Sequence, residues 1–84
     1  MPRSVVHEIE GGELRVWRTS DEWFHLKTTL IRDHNGTAYE VESRWDIPPG
    51  ATTWSEVADR ARDGDRSAAD QLADTMFDEA VEGA

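Results

Sequence analysis

The sequence predicts an α+β fold: a four-stranded antiparallel β-meander, made of two hairpins, followed by two C-terminal α-helices packed on one sheet face. Three observations lead there. Alternating apolar and polar segments fill residues 1–47, broken by the turn-forming pairs Gly11-Gly12 and Asn35-Gly36. "PPG" at 48–50 then stops strand structure, because proline donates no hydrogen bond to a ladder. Beyond it the apolar residues switch to helical spacing.

Gly11-Gly12 lies between "SVVHEIE" and "ELRVWRT". A two-residue turn at that pair sets Ile9 opposite Leu14 and His7 opposite Val16 on one face. The other face then receives Glu8 opposite Arg15, a favourable cross-strand ion pair, and Val6 opposite Trp17.

Asn35-Gly36 joins "WFHLKTTLIRDH" to "TAYEVESRWDI". Taken as the two turn residues, it pairs Phe24 with Ile47, Leu26 with Trp45, Thr28 with Ser43, Leu30 with Val41 and Arg32 with Tyr39. The opposite face carries His25 against Asp46, Lys27 against Arg44, Thr29 against Glu42 and Ile31 against Glu40. Turn rule and alternation agree, and a slip of one residue would turn every apolar side chain to the wrong face. The connection "TSDE" between the hairpins has no glycine. An odd loop length puts Leu14 and Val16 beside Phe24, whereas an even one puts Trp17 there; the aliphatic pair predicts the odd loop.

In the second half, Thr53 with Glu56 three residues later forms a capping-box pattern. Trp54, Val57, Ala58 and Ala61 follow at helical spacing, and Gly64 ends the segment. Asp65 or Ser67 then caps a second helix, whose apolar stripe is Ala69, Leu72, Ala73, Met76, Phe77, Ala80 and Val81. One domain over 1–84 is expected, with the meander at 1–47, a loop at 48–53 and the helices at 54–82.

Eighteen acids against nine bases give a net charge of −9, and there is no cysteine. Disulfides and thiolate metal sites are thereby excluded. The acid excess disfavours direct binding to nucleic acid or to an anionic membrane. No apolar run approaches the roughly 20 residues of a membrane span, and "MPRSVVHEIE" lacks the apolar core of a signal peptide. A cytoplasmic protein is the expectation. Acidity is concentrated beyond residue 47, where three bases meet nine acids; residues 1–47 hold six bases and nine acids.

No catalytic, metal or cofactor motif emerges. His25 opposite Asp46 has the pairing of a general-base arrangement, but no nucleophile motif accompanies it, and cross-strand His–Asp pairs are ordinary structure. His7 reads as a partly buried structural histidine and His34 as a solvated turn residue. "DRARDGDRSAAD", residues 59–70, places Asp59, Asp63, Gly64, Asp65 and Asp70 near an EF-hand spacing, but Ala61 occupies a ligand position and Asp70 replaces the closing glutamate. A helix junction is the simpler reading.

Two surfaces remain. The sheet face away from the helices is expected to present Trp17, Trp23, His25, Ile31 and Arg44, with Trp17 and Trp23 close together. Such a face suits a protein partner or a second copy of the chain, as in a homodimer. Asp70, Asp74, Asp78 and Glu82 recur every four residues, which makes a carboxylate ridge along the last helix. The ridge is either an ordinary solvated face or a mimic of a nucleic-acid backbone that inhibits a basic protein. The leading expectation is a small acidic, non-enzymatic interaction or regulatory module. The mimic is the alternative, and an enzyme or ligand binder built on His25 and Asp46 ranks below both.

Overall fold

The computed structural model describes residues 4–50 and 52–83. Its elements are β1 (Val5–Ile9), β2 (Gly12–Arg18), β3 (Phe24–His34), β4 (Thr37–Ile47), α1 (Thr52–Arg62) and α2 (Arg66–Glu82). The strands form one antiparallel sheet in the order β1-β2-β3-β4, and both helices lie against it. No helix among the described residues is long and apolar enough to cross a membrane.

The β3–β4 hairpin has the expected register throughout, from Phe24 opposite Ile47 to His34 opposite Thr37. Its cause is local. Asn35 and Gly36 take φ of 53° and 83°, the doubly left-handed backbone that a two-residue type I′ turn requires. The β2–β3 loop, residues 19–23, is odd in length and brings Arg18 opposite Phe24. Leu14 and Val16 accordingly share the face of Phe24 and Leu26, as the aliphatic match predicts.

The first hairpin departs from expectation. Its turn residues are Glu10 and Gly11, so Val5 pairs with Val16, Val6 with Arg15, His7 with Leu14 and Glu8 with Glu13. The expected Ile9–Leu14, His7–Val16, Glu8–Arg15 and Val6–Trp17 pairs do not form. The neighbouring strand decides this. Ile31 N–H donates to Gly11 O at 2.9 Å, and a Cβ on Gly12 would lie 1.9 Å from Thr29 O. Gly12 is thus needed inside the strand, where β3 approaches too closely for any side chain. The slip is two residues, so each side chain keeps its face.

One face of the sheet holds the core. Leu14, Val16, Leu26, Leu30, Leu72, Ala73 and Met76 have no solvent exposure, and Phe24, Ile47, Val57 and Phe77 are nearly as buried. Each fully buried leucine contributes about 1.5–3 kcal/mol relative to exposure. Thr28, also fully buried, satisfies its hydroxyl by donating to Glu13 O at 2.9 Å. His7 is buried too, its Nε2 lying 2.7 Å from Ala61 O. This contact joins β1 to the last turn of α1, where helix carbonyls lack intrahelical partners.

The helix junction is built from its own punctuation. Gly64 takes φ of 99° after α1, and Asp65 caps α2, its carboxylate accepting from Ser67 N and Ala68 N. Asp59 and Asp70 pair with Arg62 and Arg66 of their own helices. α1 begins at Thr52, which puts Thr53 inside the first turn rather than at the cap. The preceding residue, 51, lies outside the described residues.

Candidate interaction surface

Alternation exposes the other face of the sheet, and the pairing arranges its side chains in rows across the strands. Trp17, His25 and Asp46 make the first row, and Val6, Arg15, Lys27 and Arg44 the second. Glu8, Glu13, Thr29 and Glu42 form the third, and Ile31 with Glu40 the fourth. The surface is therefore banded: rings, cations, acids, then an aliphatic side chain. A shallow concavity of about 600 Å³ lies between Trp17, the three cations and the Glu13–Thr29 pair.

Like charges directly opposite one another on adjacent strands are destabilising. The side chains of Arg15 and Lys27 make no ion pair or hydrogen bond among the described residues, and neither do those of Glu8, Glu13 and Glu42. Arg44 is better placed, with Nε 3.6 Å from Asp46 Oδ1 and its guanidinium 5.8 Å from the Trp17 ring centre. The two-residue slip set Glu8 beside Glu13, while the cation row comes from the β2–β3 and β3–β4 pairings. Glu8 opposite Arg15 would have neutralised one cation within the sheet, whereas the observed register sets acid beside acid.

In the first row, His25 Nδ1 lies 2.5 Å from Asp46 Oδ1, and the imidazole stacks on Trp17 with ring centres 5.5 Å apart. The bond from His25, aided by Arg44, holds the Asp46 carboxyl below its ordinary value. On the other side, His25 Nε2 lies 3.1 Å from Thr19 Oγ1, and the Thr19 hydroxyl donates to Asp21. That hydroxyl holds the Asp21 carboxyl below its usual value as well.

The order Asp46–His25–Thr19 matches the carboxylate–imidazole–hydroxyl sequence of nucleophilic sites. The surroundings work against that chemistry. The hydroxyl's single proton is already given to a carboxylate, and Trp23 O is a further acceptor 3.4 Å away. An oxyanion needs donors at that place, not acceptors. What the cluster does is fix the loop after β2 to the end of the sheet.

The expected surface residues separate into two groups. Ile31 and Trp23 are exposed, at 60% and 37%, and Val6 joins them at 42%. Trp17 and His25 are half-buried against each other, so the ring beside Trp17 is that of His25 rather than Trp23. The carboxylate ridge is also divided. Asp74 receives Arg32 Nη1 at 2.7 Å and Asp70 receives Arg66 Nε at 3.0 Å, while Asp78 and Glu82 stand in solvent. Arg32 further donates to Glu10 O at 2.7 Å and covers the Phe77 ring, tying the first turn to α2.

Two features escaped the sequence reading. His34 packs edge-on between Tyr39 and Phe77 instead of standing free in water. Trp45 and Trp54 meet edge-to-face at 5.6 Å and wall a recess of about 490 Å³ with Ile47, Pro48 and Glu79. Their places on the core face of the last strand and at the start of the helical pattern were legible; their meeting depends on how α1 lies on the sheet. Comparison with protein families, with curated proteins and with solved structures gives no match for this chain.

Proposed function

We propose that this protein is a small, non-enzymatic interaction module that works by association through the open face of its sheet, with another copy of the chain as partner. The observation that carries the reading is the exposure of Val6 and Ile31 on that face, with Trp23 at its end. They stand in different rows, and each offers apolar area that a contact on this face would bury. Between them, the side chains of Arg15, Lys27, Glu8, Glu13 and Glu42 have no ion-pair or hydrogen-bond partner among the described residues, which adds to the support.

The other readings have less behind them. Half of the α2 carboxylate ridge is occupied by the chain's own arginines, which weakens its likeness to a free phosphate backbone. The His25 cluster surrounds its hydroxyl with acceptors, which argues against acyl-transfer chemistry. Sedimentation equilibrium from micromolar to millimolar protein tests the proposal. The wild type should approach twice the chain mass, and Trp23→Ser with Ile31→Ser should shift the midpoint at least tenfold while leaving circular dichroism unchanged. A wild type that stays at chain mass throughout refutes it.

A further inference from the structure

The banding of the open face says how two copies meet. Resting on the self-association reading above, we infer that the two sheets stack face to face with their strands antiparallel, so that the Arg15/Lys27/Arg44 row of each copy lies on the Glu8/Glu13/Glu42 row of the other.

Symmetry carries the argument. A closed dimer of identical faces is isologous, and a twofold axis in the plane between two such sheets has two simple directions. With the axis along the strands, each row lies on its own copy, cations on cations and acids on acids. With the axis along the rows, strand direction reverses and row order inverts. If that axis runs midway between the cation and acid rows, Arg15 comes over Glu13 of the second copy and Arg44 over Glu42. Each contact occurs twice. In the same placement the stacked Trp17 and His25 rings come over the Ile31 end of the second copy.

One displacement thus matches two cation–acid columns and sets His25 over Ile31, while Lys27 comes over Thr29, Val6 over Glu8 and Asp46 over Glu40. It also accounts for three cations abreast on a chain of net charge −9, of which Arg15 and Lys27 have no side-chain partner among the described residues. The rows repel within one chain, and opposite-sign rows in contact relieve this. Charge matching mainly sets register and specificity, while the Trp17 and His25 rings against the Ile31 end supply apolar burial. At about 4.8 Å between strands and 3.3 Å per residue, the face offers on the order of 500 Å² per copy. That is at the small end for a specific interface, so the dimer is weak and reversible.

Two row-reversal variants test the stacking. Arg15→Glu/Lys27→Glu/Arg44→Glu makes both rows acidic, and Glu8→Lys/Glu13→Lys/Glu42→Lys makes both basic. Each alone should stay at chain mass where the wild type is dimeric, and an equimolar mixture should regain twice the chain mass. Dimerisation of either variant alone at wild-type strength overturns the stacking, as does failure of two folded variants to combine. Should either variant not fold, cross-linking decides the matter, because the native chain has no cysteine. A short bismaleimide should join Arg15→Cys protein to Glu13→Cys protein. Preferential joining of Arg15→Cys to Lys27→Cys indicates rows lying on themselves and overturns the inference. The two proposals fail differently. A wild type at chain mass removes both; a wild-type dimer that is weakened by Ile31→Ser but indifferent to row reversal keeps the open-face reading and removes the stacking.

Discussion

On one face of the sheet, Leu14, Val16, Leu26 and Leu30 are sealed beneath two helices; on the other, their sequence neighbours Arg15, Lys27 and Ile31 project into water. Both faces arise from the same alternation, yet they are organised differently. The core face is settled by volume, since any aliphatic residues that fill the space beneath the helices will serve. The open face is settled by register, because which charge stands beside which depends on the pairing of each strand. A shift of two residues leaves the core face with the same residues and rewrites the open one. The first hairpin makes that shift.

The largest effect that separates the faces belongs to the core. Leu26→Ala should destabilise the fold by about 2–5 kcal/mol, read as a lower denaturant midpoint with an unchanged slope. A loss below about 1 kcal/mol would mean that the helices do not seal this face. Next in size is the Arg32 tie. Arg32 is only 12% exposed, so Asp74→Asn leaves a largely buried guanidinium without its carboxylate, and about 1–2 kcal/mol should be lost. Asp78→Asn, one helical turn further on and in solvent, should change stability by less than about 0.5 kcal/mol. Equal effects at the two positions would restore the ridge as a uniform solvated face.

Lys27→Glu sharpens the contrast further, because it should push stability and association in opposite directions. An acid between Arg15 and Arg44 replaces two like-charge contacts with favourable ones, worth about 0.2–1 kcal/mol to the isolated sheet. The same change breaks the cation row, so thermal stability measured in dilute solution should rise while the dimer weakens. A destabilised monomer would count against the repulsion described for this row.

The smallest effect is in acid. The Asp46 carboxyl is held below its usual 3.8, chiefly by the His25 bond. Its contribution is therefore fully present above that value and is lost as pH falls through the lowered one. Denaturation between about pH 4 and 2 should be less steep in Asp46→Asn than in the wild type. Identical acid profiles would show that the His25–Asp46 pair adds nothing to folding.

The sequence by itself determined the strand and helix order, the β3–β4 register and the face on which each side chain lies. These follow from short-range rules: two residues with positive φ fix a hairpin, alternation fixes its faces, and Asp65 beside Gly64 fixes a helix start. The site was legible in its members, since Ile31, Arg44, His25 and Trp17 were all assigned to the open face, but not in its arrangement. Only the tertiary structure decided that Gly12 serves the strand rather than the turn, because β3 leaves no room there for a Cβ. From that one close approach follows Glu8 beside Glu13, while the three cations abreast come from the β2–β3 and β3–β4 pairings. His25 on Trp17 depends on pairing too, since the five-residue loop between β2 and β3 sets the two rings opposite each other. Turn chemistry acts over a few residues and can be read along the chain; the charge rows depend on pairing across it, and pairing is set where backbones meet.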